Sequence, residues 1–327
     1  MKNTPFIAVT SQPVPYHADT TAIFNTLCQQ NSNSLLLDSA EIGSKNSLQS
    51  LILINAVVKI TCLGNQVTFR ALNANGKQVL NEIHPVLSQL GTISAINFEN
   101  EFSVQFAPLD NQLDEDSKLQ AATIFDGLRV ISNHYQHSST PVFLGGLFAY
   151  DLVANFIPMH GVELKDDGIH CPDYSFYLAE NLITIDHQSQ QATLKSFCFS
   201  QEEQVEVAKT ALSIAQKLKN IDGVFSIKAA SDEVSTNFED PEFIGIVKAL
   251  KHHINIGDVF QIVPSRRFSL DCPNTLASYA QLKHNNPSPY MFYMNDEDFI
   301  LFGASPESAL KYAPDNRQLE IDPYAYL

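Results

Sequence analysis

The run Gly257-Asp258-Val259-Phe260-Gln261-Ile262-Val263-Pro264-Ser265-Arg266-Arg267-Phe268 is followed by Asn286-Pro287-Ser288-Pro289-Tyr290-Met291-Phe292 and by Phe302-Gly303-Ala304-Ser305-Pro306-Glu307. Read locally, a helix ends on Gly257, a strand with two adjacent arginines follows, and two more apolar strands return beside it. The expectation is one sheet in which Gln261, Arg266, Arg267 and Glu307 interrupt apolar runs. Polar groups on buried strands need partners or a ligand. The plainer reading puts the arginines on a wet face, paired with acids.

Length and charge bound the rest. A chain of 327 residues accommodates two domains or one large one, and 44% hydrophobic residues supply a globular core. The formal charge of −16 argues against nucleic acid or an anionic membrane surface as partner. An anionic substrate would have to be held by a few local cations. Cys28, Cys62, Cys171, Cys198 and Cys272 are never closer than 27 residues, so no pair has zinc or redox-motif spacing. Reduced thiols in a cytoplasmic protein are expected. Met1-Lys2-Asn3-Thr4-Pro5 begins no signal peptide, and no stretch reaches membrane-spanning length.

Outward from the opening run, Ala18 to Gln30 reads as a helix capped by Asp19 or Thr20, with Ile23, Phe24 and Leu27 inward. Leu35 to Ala40 reads as a buried strand ending in polar groups. Gly64-Asn65 between Val57–Leu63 and Gln66–Leu72 is a hairpin signal, and Asn75-Gly76 repeats the turn signal. Asp110 to Asp116 lacks the glycine and terminal glutamate of a calcium loop and reads as a solvated helix entry. Ile124, Leu128, Ile131 and Tyr135 form a helical stripe. Gly145-Gly146 within an apolar run predicts close backbone approach in a strand. Tyr174 to Ile185 is a candidate strand pair. Ser200 with Glu203 predicts a capping box, opening a helix with Val205, Ala208, Leu212, Ala215 and Leu218 on one side. A helix from Asp240-Pro241 to Gly257, another near Leu276 to Lys283, and strands at Tyr290–Met294, Phe299–Ala304, Ala309–Tyr312 and Gln318–Ile321 complete the pattern. The fold class expected is α+β, with layered antiparallel sheets and flanking helices. The expected domains are 1–220, a linker over 221–239, and 240–327.

Together the motifs strongly resemble the chorismate-utilising enzymes, and within them the anthranilate synthase component I family. The residues that carry the likeness are Ile256 to Gln261, Pro264 to Phe268, Pro287 to Phe292, Phe302 to Ser308, Leu36 to Ala40, Gly145 to Leu152, Cys171-Pro172-Asp173 and Phe176 to Glu180. The resemblance implies a lyase that adds ammonia at C2 of chorismate with loss of the C4 hydroxyl, then eliminates pyruvate to leave anthranilate, the first committed step of tryptophan synthesis. It implies a Mg2+ ion on a substrate carboxylate. It also implies ammonia from a glutamine amidotransferase subunit (anthranilate synthase component II) in a heterotetramer, and feedback inhibition by tryptophan. The implied effector pocket comprises Asp38, Ser39, Ala40, Gln49, Pro289, Tyr290, Met291, Gly303 and Ala304. Asp38 would receive the ammonium group, Ser39 would hydrogen-bond, and Tyr290 and Met291 would pack on the indole. The plainer reading makes these residues hairpin core with an acid at a strand end. Gln49 stands where the family is commonly basic, which removes a carboxylate partner at that point.

For catalysis the resemblance offers Glu307, near the family's catalytic histidine, and Gln261. Glu307 could equally be a structural carboxylate paired to Arg266 or Arg267. The family continues past a strand like Leu319-Glu320-Ile321 into Tyr-Pro-Ile-Ala-Gly-Thr-Arg, whereas this chain reads Asp322-Pro323-Tyr324-Ala325-Tyr326-Leu327. On that comparison the magnesium ligands and most catalytic groups lie beyond the C-terminus, and the chain alone is expected to be inactive. Two alternatives stand beside it: a non-catalytic tryptophan-binding module, and a truncated aminodeoxychorismate synthase-like subunit.

Overall fold

The computed structural model describes residues 5–28, 31–39, 49–97, 100–110, 112–136, 138, 140–157, 171–221, 233–306, 308, 310–313 and 316–320. The chain forms two compact units, one of Met1–Val224 with Leu282–Leu327 and one of Phe225–Gln281. The first unit opens with β1 (Ala8–Val14), α1 (Thr20–Cys28), β2 (Ser34–Asp38), β3 (Gln49–Leu63), β4 (Gln66–Ala71), α2 (Ala74–Leu87), β5 (Thr92–Asn97) and β6 (Glu101–Gln105). It continues through α3 (Glu115–Gln120), α4 (Asp126–His134), β7 (Leu144–Phe148), β8 (Tyr174–Asp186), β9 (Gln191–Cys198) and α5 (Gln204–Lys217). The second unit holds β10 (Val234–Thr236), α6 (Asp240–Asn255) and β11 (Phe268–Leu270). Helix α7 (Thr275–Asn285) spans the boundary, and β12 (Tyr290–Asn295), β13 (Ile300–Ser305), β14 (Lys311–Ala313) and β15 (Gln318–Glu320) return to the first unit.

The axis of the first unit is β3 against β8, antiparallel from Gln49↔Asp186 to Cys62↔Tyr174. Leu51 to Ile54 with Val57, Val58 and Ile60 make β3 largely apolar, as a strand covered on both faces must be, with Lys59 the charged exception. Its register slips between Leu53 and Val58, a bulge that bends the pair. On one side of the bulge β2 pairs with β3 and β9 with β8; on the other, β4 pairs with β3 and β7 with β8. The bent sheet thus runs β1-β9-β8-β3-β2-β12-β13, with β4, β6, β5 and β7 on its second arm. Around the bulge, buried Glu180 accepts from Asn73 Nδ2 (3.0 Å) and Asn75 Nδ2 (2.9 Å), which satisfies its carboxylate there.

Many local expectations hold. Asp19 Oδ1 accepts from the Thr21 and Ala22 amides, and Ile23, Phe24 and Leu27 of α1 are buried. Gly64 takes φ +58° between Leu63 and Gln66, which face each other across the hairpin. A Cβ on Gly146 would lie 2.1 Å from the Ser175 carbonyl oxygen, the close approach expected of the glycine pair.

Four readings need correction. Asn75-Gly76 is the first turn of α2, because Asn73 caps it through the Gly76 amide (2.9 Å) and a Cβ on Gly76 would meet Val57 O at 1.9 Å. Tyr174–Asp186 is one long strand, not a pair, since β3 offers it a partner along its whole length. Helix α5 starts at Gln204 without a side-chain cap and buries Val207, Ala211 and Ile214, while Val205 and Leu212 face solvent. Finally, of the run Gly257–Phe268 only Phe268 lies in a strand, β11, which pairs with β10; among the described residues the preceding stretch finds no ladder. Arg266 there follows the plainer reading. It pairs with Asp240 Oδ1 at 2.6 Å and lies over the Phe268 ring.

Candidate functional site

Strand β12 is antiparallel to β2, with Met291↔Asp38 and Phe292↔Leu37, and to β13, with Met291↔Ala304 and Phe292↔Gly303. Residues facing each other across a ladder share a face of the sheet. Asp38, Met291 and Ala304 therefore form one row across three strands, although 253 residues separate the first two. Gly303 belongs to the other face, where a Cβ would meet the Phe292 ring at 2.7 Å. Pro289 and Tyr290 are half-buried at the entry to β12, and Gln49 is exposed at the start of β3. Ala40 and Glu307 lie outside the described residues. Gln261 is exposed in the second unit, in a stretch without regular structure.

Asp38 is the centre of the row and its side chain is fully covered. Its Oδ2 accepts from Thr20 Oγ1 (2.7 Å), on the first residue of α1, and from Lys283 Nζ in the last turn of α7. Its Oδ1 accepts from Ser50 Oγ (2.6 Å) and the Ser39 amide (3.0 Å). Burial pushes the carboxyl up, but the Lys283 charge and the hydrogen bonds from Lys283, Ser50 and Thr20 outweigh it and hold Asp38 below the usual carboxylate range. The ammonium ligand expected at Asp38 is thus matched here by an ammonium of the chain itself.

The network continues outward, from buried Ser50 to half-buried His187 and Tyr16. His187 Nε2 is 2.9 Å from Ser50 Oγ, and Nδ1 is 3.2 Å from the Tyr16 hydroxyl. Ser50 has one proton and gives it to Asp38, so the network assigns the ring proton to Nε2; in the neutral ring, Nδ1 then accepts from Tyr16. Burial lowers the His187 pKa, and the nearby Lys283 charge adds to that against the pull of Asp38 and Asp186. Thr20, Ser50, His187 and Lys283 were not singled out as site residues in the sequence. The one local signal was Thr20, flagged as a possible cap. The others reach Asp38 only through the strand pairing and α7.

Among the described residues no group of three or more His, Cys, Asp or Glu side chains is placed to hold a metal ion. No helix among the described residues is long and apolar enough to cross a membrane.

Comparison with known proteins gives this architecture a class. The profile described as chorismate binding enzyme matches residues 84–325, and the chain belongs to that family. Within it, anthranilate synthase component 1 of Haemophilus influenzae is 86% identical over 98% of this chain, and that of Vibrio cholerae 46% identical over 99%. The chain spans 62% of the length of each of these relatives. The solved anthranilate synthase component I of Streptococcus pneumoniae superposes with a TM-score of 0.53 at 19% identity, over 84% of this chain and 54% of that one. At that identity the likeness speaks for the fold alone, and it agrees with the α+β, antiparallel-sheet architecture expected from the sequence.

Proposed function

We propose that this chain is the effector-binding and leading catalytic portion of an anthranilate synthase large subunit. In this reading 1–220 is the regulatory domain, 221–239 the linker and 240–327 the start of the chorismate-binding domain. The whole protein, in the cytoplasm, converts chorismate and ammonia into anthranilate and pyruvate. A glutamine amidotransferase subunit delivers the ammonia within a heterotetramer, and Mg2+ assists the reaction. Tryptophan is the feedback inhibitor, at a site formed by Asp38, Ser39, Ala40, Gln49, Pro289, Tyr290, Met291, Gly303 and Ala304. Gln261 and Glu307 belong to the chorismate side.

The observation that carries this reading is the β2–β12 pairing, which sets Met291 directly opposite Asp38. A buried carboxylate beside a methionine is the chemistry an aromatic amino acid needs: charge for its ammonium and a soft apolar wall for its ring. The 86% identity to a relative named anthranilate synthase component 1 supports the activity. The test is anthranilate fluorescence from chorismate and ammonium with the full-length subunit, with and without tryptophan. Formation that tryptophan suppresses is expected. Formation that tryptophan leaves untouched would remove the effector site, and no formation would remove the activity.

A further inference from the structure

We infer that Lys283 is an internal competitor for the effector's ammonium group: its Nζ occupies Asp38, and an amino-acid ligand binds by displacing it. The inference rests on the reading of Asp38 as part of an effector site and names how that site is regulated.

Three observations carry it. First, the Lys283 ammonium donates to Asp38 Oδ2 and also lies 3.0 Å from Thr20 Oγ1, so it already makes the contacts a ligand ammonium would make. Second, the partners differ in access. The Asp38 side chain is 0% exposed, whereas that of Lys283 is 25% exposed, so the cation has a route to water that the carboxylate lacks. Third, Asp38 is held by backbone pairing through its strand neighbours, Ser50 and the Ser39 amide, while Lys283 reaches it on a flexible stem from the last turn of α7. Of the two, the lysine is the one that can leave.

The energetics set the consequence. Two cations brought to the same carboxylate oxygen repel each other, so one oxygen does not hold both well. An arriving ammonium recovers from Asp38 only the difference between its own contacts and those of Lys283. The lysine therefore weakens ligands that carry an amine and is nearly indifferent to those that do not. It sets the effector concentration at which the site fills.

The experiment is calorimetric titration of the 327-residue chain, as wild type, Lys283→Gln and Lys283→Arg. The ligands are L-tryptophan and indole-3-propionate, which has the ring and carboxylate but no amine. Lys283→Gln is expected to bind tryptophan about tenfold more tightly and indole-3-propionate with less than about twofold change; Lys283→Arg, which keeps the cation, should stay near wild type. An equal change for both ligands, or none for tryptophan, overturns the inference while leaving the effector site standing. Binding of neither ligand by any of the three proteins overturns the effector site itself. A second reading needs no uncharged variant. In the reductively 13C-methylated wild-type chain, the Lys283 resonance, assigned by its loss in Lys283→Arg, should move to a solvent-like position with tryptophan and stay in place with indole-3-propionate. A resonance unmoved by bound tryptophan overturns displacement.

Discussion

The two ends of β12 carry the same chemistry in different mountings. Beside Met291, Asp38 is met by Lys283; just past Asn295, Asp296 is met by Lys59 Nζ at 2.7 Å and by the Tyr177 hydroxyl. Both carboxylates are fully covered. The cations are not alike. Lys59 sits within β3 opposite Tyr177 of β8, 9% exposed, and backbone pairing fixes it; Lys283 hangs from a helix end with 25% of its side chain in water. The contrast teaches that a buried carboxylate becomes exchangeable through the mounting of its cation, not through its own burial. The cation of Asp296 is closed off by the fold, whereas the cation of Asp38 has a route to water.

The largest test of that contrast is to remove each cation. Lys59→Met leaves Asp296 charged in the interior without its ammonium, which costs about 3–5 kcal/mol when a buried pair is broken from one side. Lys283→Met leaves Asp38 with its hydroxyl and amide donors and with water near, for a cost of about 1–3 kcal/mol. Urea unfolding of both variants against wild type measures the two numbers. Equal costs would erase the distinction.

How much of this was legible in the sequence differs along the same line. Elements specified by local chemistry were read well: the Asp19-capped helix, the Gly64 turn and the apolar strand at Leu35–Leu37. Helix α5 was not. Of the expected stripe Val205, Ala208, Leu212, Ala215 and Leu218 only Leu218 is buried; Val207, Ala211 and Ile214 are buried with it, and only packing selects that set. The Val259–Phe268 run has strand composition, but a strand exists only where a neighbour completes its ladder, and β10 meets only its last residue, Phe268. At the candidate site, Asp38 and Met291 were picked out through motif resemblance. Their partners were not, because Lys283 is 245 residues from Asp38 and no periodicity spans that distance. Lys59 did leave a signal. A lysine inside Val57-Val58-Lys59-Ile60 calls for an acid, and Asp296-Glu297-Asp298 follows the apolar run Tyr290–Met294.

Acid titration sharpens the comparison. Burial opposes ionisation of Asp296, but hydrogen bonds from Lys59, Tyr177 and the Asp298 amide, with the Lys59 charge, hold it below the usual range, as Asp38 is held. A carboxyl depressed in the fold binds protons more readily when unfolded. Each therefore contributes stability above about pH 4 that is lost as pH falls through its folded value. Burial is already the largest single influence on Asp296; without Lys59 only the Tyr177 and Asp298 hydrogen bonds oppose it, and the folded value is expected to rise past the unfolded one. Relative to wild type, Lys59→Met should then gain stability between about pH 7 and 4. In Lys283→Met the remaining donors to Asp38 flatten the acid slope without reversing it. Urea midpoints across that range give both slopes, and a Lys59→Met protein that follows wild type would contradict the first.

The smallest effect is the most local. His187 touches the Asp38 end of β12 through Ser50, and its imidazole is depressed first by burial, with Asp38 pulling it up, Lys283 pushing it down and Asp186 pulling it up. Its depressed value means that the unfolded chain takes up the proton first. This residue's share of stability is therefore complete above about pH 6.5 and declines as pH falls toward the folded value. Lys283→Gln removes one downward influence, so the His187 Cε1 proton should titrate at a higher pH than in wild type. Lys59 is not among the charges acting on this ring, so Lys59→Met should leave the titration where it is. Titration of the ring by proton NMR decides it. A His187 that shifts in both variants would mean that the two clusters are coupled along β12, and that the exchangeable cation and the fixed one belong to a single electrostatic unit.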